Sequence, residues 1–169
     1  MTEEIRKIDK SLLAPWQKVD AVNTFVIPQA DFHLRNGQVE KKKLRKFDQE
    51  LKVMAKKWLN LPNRASSEII YLSYKEGGLN FLPSTIMADI AMATHAARLL
   101  TSKDQVVVDH CITSLSEVVK KKLLLREPEV EEIIKFVNSS NEGELGKRSN
   151  DISSTWSRVR AAMRRLKSK

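Results

Sequence analysis

Residues 39–61 read VEKKKLRKFDQELKVMAKKWLNL. Apolar side chains recur in this stretch every three or four residues, at Leu44, Phe47, Leu51, Met54, Trp58 and Leu61. At about 100° per residue, these side chains share one face of a helix. The pattern therefore predicts an amphipathic helix whose apolar face packs against the rest of the chain.

Polar side chains repeat on the opposite face of the same helix. They are Lys42, Arg45, Gln49, Lys52 and Lys56, and no acidic residue interrupts them. A helix with one apolar face and one cationic face can pack on a folded body and offer charge to an anionic partner. Lysine-rich faces also occur as ordinary solvated surface, so the row by itself leaves both interpretations open.

The positive charge of the chain is concentrated at its two ends. The formal net charge is +9. Residues 1–60 carry 13 basic and 8 acidic side chains, residues 61–149 carry 11 and 12, and residues 150–169 carry 6 and 1. Two basic ends around a neutral middle favour a polyanionic partner, nucleic acid before membrane, because several phosphates can be neutralised together.

Composition excludes several classes of protein. A hydrophobic content of 41% with few glycines and prolines indicates a globular chain. The single cysteine, Cys111, excludes an internal disulfide framework and a multi-cysteine zinc site. No apolar run reaches the roughly 20 residues that a membrane-spanning helix needs, and the N-terminus lacks a signal-peptide core. We expect a soluble, intracellular protein without a cofactor or a membrane partner.

Most of the chain is expected to be helical, with one exception between Ile69 and Leu82. There the strings IIYLSY and LNFL flank KEGG, which predicts two short strands around a turn. Gly77 and Gly78 would supply the positive φ of that turn. Earlier in the chain, Pro28 is expected to kink or break a helix. The predicted fold class is mainly α with one small β-hairpin.

The sequence predicts no catalytic residue and no metal ligand. His33, His95 and His110 are each isolated from paired carboxylates. His110 lies beside Cys111, but adjacent helical residues point about 100° apart, so a buried cysteine and a surface histidine are expected. No Asp-Asp pair is present for two-metal phosphoryl chemistry, and KEGGLN lacks the frame of a phosphate-binding loop.

Five strings resemble non-LTR retrotransposon reverse transcriptases of the R2 type. The region after the catalytic palm is similar to PWQKVDAVNTFVIPQADFHLRNG, LRKFDQELKVMAKKWLNLP and YLSYKEGGLNF. The segment after the thumb is similar to ADIAMATHAARLLTSKD and DISSTWSRVRAAMRRL. The strings follow the order of the family and cover most of the chain, with residues 105–150 placed by position rather than by motif.

The resemblance implies three segments. Residues 1–62 would form a thumb-like helical bundle, residues 63–149 a linker-like hairpin plus helices, and residues 150–169 a basic C-terminal helix. The Asp-Asp ligands of the palm, the fingers, the zinc knuckle and the endonuclease are missing. We therefore expect a non-catalytic piece of an RNA-directed DNA polymerase, nuclear if expressed, which cannot polymerise alone and whose partner would be the parent's palm where that is present.

The expected activity is binding of template–primer RNA, DNA or RNA–DNA hybrid through charge contacts to the backbone. The residues expected to bind are Lys42, Arg45, Gln49, Lys52, Lys56, Arg158, Arg164 and Arg165. Two alternatives stay open. One is a helical protein–protein interaction module whose basic faces dock on acidic proteins, and the other is an enzyme that would use His110 or Cys111.

Overall fold

The computed structural model describes residues 2–36, 39–140 and 154–168, and these residues contain helices and irregular segments without a β-strand. The α-helices are α1 (Thr2–Lys10), α2 (Pro15–Ala21), α3 (Ile27–Asn36), α4 (Lys41–Trp58), α5 (Glu68–Tyr71), α6 (Ser84–Leu100), α7 (Gln105–Leu123), α8 (Val130–Val137) and α9 (Thr155–Lys167). The prediction of a mainly α chain is confirmed.

The predicted β-hairpin at Ile69–Leu82 is wrong. The single turn α5 and a 3-10 turn at Tyr74–Glu76 occupy its first half. The chain does reverse at Gly77, whose φ of 80° is the positive value predicted for that turn, whereas Gly78 does not have the predicted positive φ. The amides of Leu79 and Phe81 then donate to the carbonyls of Ile69 and Ile70 at 3.0 and 3.1 Å, so an irregular segment is bonded to the turn of α5 and no pair of strands forms here.

A local hydrogen-bonding motif explains why helical turns replace the hairpin. The carboxylate of Glu76 accepts from the amide and the hydroxyl of Ser73 at 3.1 and 2.7 Å, which forms a capping box around the 3-10 turn. Such side-chain contacts compete with ladder pairing for the backbone. An isolated two-stranded hairpin is marginally stable, so local capping together with burial of Ile70 and Phe81 outweighs it.

A π-helical segment at Val22–Val26 joins α2 to α3 without a break. Pro28 lies two residues after the end of that segment, and proline has no amide hydrogen to donate to the preceding turn. The amide of Ile27 donates to the carbonyl of Val22, five residues back, so the turn before the proline is widened. The helix therefore accommodates Pro28 and continues to Asn36, so of the two predicted outcomes, a kink or a break, the break does not occur.

The apolar face of α4 forms the core of the N-terminal half of the chain, as its periodicity predicted. Leu44, Phe47, Leu51 and Trp58 are each less than 8% exposed. The other buried side chains of this core are Ile5, Val19, Val22, Val26, Ile70 and Phe81. Burying an apolar side chain of this size contributes about 1.5–3 kcal/mol, so this face fixes the position of α4.

Asp9 ties the end of α1 to the end of α4. Its carboxylate accepts from Nε1 of Trp58 at 2.8 Å and from Nζ of Lys57 at 2.8 Å. Its main-chain carbonyl accepts from Nζ of Lys18 at 2.8 Å. The hydrogen bonds from Lys57 and then Trp58 lower the pKa of Asp9, because they favour its charged form.

The chain divides into two compact units, Met1–Ala88 and Asp89–Lys169. In the second unit, α7, α8 and α9 pack around one core. The core side chains include Cys111, Leu115, Val119, Phe136, Trp156 and Val159. The carboxylate of Asp104 caps α7 by accepting from the amide of Val106 at 3.0 Å, which satisfies a donor that the first turn leaves unpaired.

The two compact units are defined by contacts within the structure. The predicted segments 1–62, 63–149 and 150–169 rest on the family resemblance and stay a prediction. Within the first unit α5 packs against α4, and within the second α9 packs against α7 and α8. Residues 141–153, which include most of the loop-like stretch near the last predicted boundary, lie outside the described residues. In the described ranges, no helix combines the length and apolar character that a membrane crossing requires.

Candidate nucleic-acid interface

The predicted cationic row begins on the exposed side of α4. Lys42, Arg45 and Gln49 are exposed, and Lys52 is half-buried. Because residues three, four and seven positions apart share a helix face, these four side chains lie in one row. At about 1.5 Å of rise per residue the row from Lys42 to Lys52 extends roughly 15 Å along the helix axis.

Lys56 continues the row in sequence but is buried in the structure, where it is only 8% exposed. Its ammonium donates to the main-chain carbonyls of Asn63 and Ala65 at 3.0 and 2.6 Å. These bonds hold the turn that follows α4 against the last turns of that helix. Lys56 therefore shapes the surface beside the row, and two of its three ammonium donors are already used by the fold.

The inner end of the row opens into a groove of about 490 Å³ between α4 and the chain that follows it. Its lining residues are Arg45, Asp48, Gln49, Lys52, Val53, Lys56, Asn63 and Tyr71. Four of the side chains predicted for the site, Arg45, Gln49, Lys52 and Lys56, thus meet there. The three cations and the single carboxylate of this lining give the groove a net positive charge.

Tyr71 brings an aromatic ring into the groove. The ammonium of Lys52 lies 5.9 Å from the centroid of this ring, within the range of a cation–π contact. Tyr71 is half-buried and packs against the core of the first unit. Burial, and to a smaller extent the charge of Asp48, raises the pKa of Tyr71, so its hydroxyl is neutral at physiological pH and can donate a hydrogen bond.

The carboxylate of Asp48 is directed at the start of α6. It accepts from the amides of Ser84 and Thr85 at 2.8 and 3.2 Å, and from the hydroxyl of Thr85 at 3.1 Å. The positive end of the helix dipole therefore offsets the charge of Asp48. Although Asp48 lines the groove, it opposes an incoming anion less than an unpartnered carboxylate would.

A second depression, of about 410 Å³, lies on the neighbouring side of α4. It is lined by Arg6, Lys46, Gln49, Glu50, Val53 and Met54. The guanidinium of Arg6 lies 3.5 Å from the carboxylate of Glu50, so part of its charge is neutralised within the depression. The groove at Tyr71 therefore has the stronger electrostatic attraction for an anion.

The predicted basic residues of α9 lie in the other compact unit and are placed differently. The guanidinium of Arg165 binds both carboxylate oxygens of Asp89, at 2.7 and 3.1 Å, and this pairing raises the pKa of Arg165. Arg158 is half-buried and Arg164 is exposed. Arg160, which the sequence did not select, lies with its guanidinium 4.8 Å from the ring centroid of Phe136.

The residues considered for catalysis are dispersed. Cys111 is 8% exposed within the core of the second unit, whereas His110 is exposed, as predicted for adjacent helical positions. His33 and His95 are exposed on other helices. Across residues 2–36, 39–140 and 154–168, no three His, Cys, Asp or Glu side chains converge to hold a metal ion.

Sequence reasoning missed four groove residues, namely Asp48 and Val53 on α4 and Tyr71 and Asn63 on the chain that follows it. Tyr71 was assigned to a strand, and Asn63 to the turn that ends α4. Both reach the groove because the chain folds back along α4 after Pro62, which is a tertiary contact without a periodic signal. A weak indication was available in the sequence, since two aromatic residues, Tyr71 and Tyr74, follow closely after a basic helix.

Comparison with known proteins shows that this chain is similar to parts of two longer proteins. No protein-family model matches the chain. It is 27% identical over 169 residues, 99% of its length, to an uncharacterized protein of Caenorhabditis elegans, and covers 48% of that protein. Over 81 residues, 48% of the chain, it is 33% identical to the retrovirus-related Pol polyprotein from a type-2 retrotransposable element of Drosophila melanogaster, and covers 8% of it.

The chain thus spans about half the length of the nematode relative and less than a tenth of the polyprotein. The predicted resemblance to an R2-type retrotransposon polyprotein holds for part of the chain. It is a similarity to one region of a much longer protein.

Proposed function

We propose that this chain is a non-catalytic nucleic-acid-binding module related to the thumb and linker of an R2-type RNA-directed DNA polymerase. It binds template–primer RNA, DNA or hybrid through contacts to the sugar-phosphate backbone. The observation that carries the proposal is the row from Lys42 to Lys52 on α4, which leads into a cationic groove. The partial similarity to a retrotransposon Pol polyprotein supports it.

The dimensions of the row suit a nucleic-acid backbone. A duplex carries one phosphate per strand for about each 3.4 Å of its axis, so the roughly 15 Å of the row matches about four phosphates. Arg45 can bind a phosphate through two parallel hydrogen bonds, and Lys42 and Lys52 act as point charges. Contacts of this kind set orientation without reading base sequence.

The core explains why the row can act as a unit. Leu44, Phe47 and Leu51 anchor α4 through its apolar face, so the cations on the opposite face keep their spacing. Lys56 holds the next turn in place at Asn63 and Ala65, which fixes the far wall of the groove. A partner thus meets a preorganised surface and less freedom is lost on binding.

The test is the affinity of the full chain for a blunt duplex or hybrid at several salt concentrations, measured by fluorescence anisotropy. We expect the dissociation constant to rise steeply with salt, because each phosphate contact releases counterions. Arg45→Glu combined with Lys52→Glu should weaken binding by at least about tenfold and lower the salt slope by about 2.

A matched control carries the same change of charge outside the row. Lys75 and Lys103 are both exposed and lie outside the groove lining. The combination Lys75→Glu and Lys103→Glu should leave the affinity within about twofold of the unmodified chain at moderate salt, where long-range effects are screened. Equal losses in the two double variants would contradict the proposal, since net charge alone would then account for binding.

A further inference from the structure

The groove has features beyond the cations that a contact to a nucleic-acid backbone requires. A duplex backbone is held by cations on an open surface, as the exposed Lys42 and Arg45 provide. The groove adds a recess of about 490 Å³, within the range of roughly 300–1,000 Å³ that is typical of small-ligand sites. Its lining adds a tyrosine ring and the side-chain amides of Gln49 and Asn63.

This set of side chains matches the chemistry of one nucleotide. Arg45 and Lys52 can bind its phosphate, and an aromatic ring such as that of Tyr71 offers a surface on which a base stacks. Amide side chains such as those of Gln49 and Asn63 both donate and accept, so they can bond to the polar edge of a base. Binding of single strands typically combines a cationic groove with aromatic stacking.

A base within a duplex cannot reach this ring, since both of its faces are stacked on neighbouring base pairs. Only an unpaired base can be turned out and placed against an aromatic side chain. We propose that the groove takes one unpaired nucleotide of a single-stranded extension, with its base stacked on Tyr71 and its phosphate on Arg45 and Lys52. This inference rests on the proposed function, because the adjoining duplex would lie along the row of α4.

The surroundings of Tyr71 keep its ring in position. Its side chain packs against the core of the first unit, while α5 is closed by the amide of Leu72, which donates to the carbonyl of Glu68 at 3.0 Å. Lys56 fixes the opposite wall through the carbonyl of Asn63. The ammonium of Lys52, 5.9 Å from the ring centroid, is the terminus of a flexible side chain and can move to a phosphate.

The experiment compares three probes on the full, unmodified chain. They are a blunt duplex, the same duplex with a short thymidine overhang, and the same duplex with an abasic overhang of equal length. We expect the thymidine overhang to bind at least about fivefold more tightly than the blunt duplex, because base stacking on an aromatic ring adds to the backbone contacts. The abasic overhang should lose most of this gain.

Variants of Tyr71 test whether its ring causes the higher affinity for the thymidine overhang. Tyr71→Leu should abolish the preference for the thymidine overhang over the blunt duplex, whereas Tyr71→Phe should retain that preference. The matched control is Tyr74→Leu, since Tyr74 is 56% exposed and lies outside the groove lining. It should behave as the unmodified chain, and thermal unfolding of each variant checks that the fold is retained.

The possible outcomes separate this inference from the proposed function. Salt-sensitive binding of the blunt duplex, with equal affinity for all three probes, overturns the nucleotide site and leaves the proposed function in place. No salt-sensitive binding of any probe overturns the proposed function. If Tyr71→Leu does not fold, the thymidine and abasic overhangs on the unmodified chain still decide between stacking and charge alone.

Discussion

Two basic helices of this chain, α4 and α9, differ in what their cations contact. In α9, Arg165 binds the carboxylate of Asp89, and the ammonium of Lys167 donates to the carbonyl of Asn138 at 2.6 Å. In α4, similar internal contacts lie at its two ends, where Lys41 donates to the carbonyl of Thr85 at 2.6 Å and where Lys56 and Lys57 are held. Between these ends, Lys42, Arg45 and Gln49 of the row are exposed.

The difference shows that the number of basic residues in a helix does not set the charge that it offers to a partner. A cation is taken up by the fold where a neighbouring segment presents a carbonyl or a carboxylate within hydrogen-bond reach. Such acceptors surround the two ends of α4 and the C-terminal part of α9. The comparison can therefore be tested by removing internal cations and external cations separately.

The largest effect is expected at the internal pair of the second unit. Arg165→Leu should lower the free energy of unfolding by about 3 kcal/mol, because it removes a bidentate partner from the buried Asp89. Arg165→Lys should lower the free energy of unfolding by a smaller amount, since the charge remains and only the bidentate geometry is lost. Chemical denaturation measures both values.

The same variants should leave the affinity for a blunt duplex nearly unchanged under conditions where the chain is folded. A loss of affinity in Arg165→Lys that matches the loss from charge reversal in α4 would remove the distinction between the two helices.

A slightly smaller loss of stability is expected at Lys56. Lys56→Met should lower the free energy of unfolding by about 2 kcal/mol, because the carbonyls of Asn63 and Ala65 lose a charged donor. Lys52→Met is the matched control, one helical turn earlier and half-buried, and should cost less than about 1 kcal/mol. Equal stability of the two variants would show that Lys56 is an ordinary surface lysine.

A single external cation should change affinity rather than stability. Lys42→Gln should weaken binding of a blunt duplex by roughly fivefold and lower the salt slope by about 1, because one phosphate contact is lost. The midpoint of thermal unfolding should stay within about 2 °C of the unmodified chain. The control is Lys75→Gln, which should change neither quantity, and a comparable loss of affinity there would show that the row has no special role.

The smallest effect concerns Asp9, which holds Lys57 and Trp58 at the end of α4. Its pKa is lowered in the folded chain, so its contribution to stability is complete above its ordinary value of 3.8 and is lost as the pH falls through the folded pKa. Asp9→Asn should therefore flatten the pH dependence of stability below about pH 4. Denaturation curves between pH 2 and about pH 6 measure this, and an unchanged slope would contradict it.

Periodicity predicted the part of the fold that depends on local spacing. Leu44, Phe47, Leu51 and Trp58 are buried as expected, because the apolar face of an amphipathic helix packs against the core. The segment at Ile69–Leu82 was misassigned because its apolar run fits a strand as well as a short buried helical turn. The capping box of Ser73 and Glu76 decided between the two.

The candidate site was only half predictable for a related reason. Lys56 follows the same spacing as Arg45 and Lys52, yet it is buried by carbonyls that belong to the following turn. Tyr71 enters the groove because a later segment packs against α4. Contacts between segments distant in sequence leave no mark on the periodicity of either segment, so a helical pattern cannot reveal them.

The most direct test of the central claim is a titration of the isotope-labelled full chain with a blunt duplex, followed by NMR chemical-shift changes residue by residue. We expect the largest changes at Lys42, Arg45, Gln49 and Lys52 and in the adjoining groove, with little change along α9. Changes concentrated on α9, with the row of α4 unaffected, would contradict it.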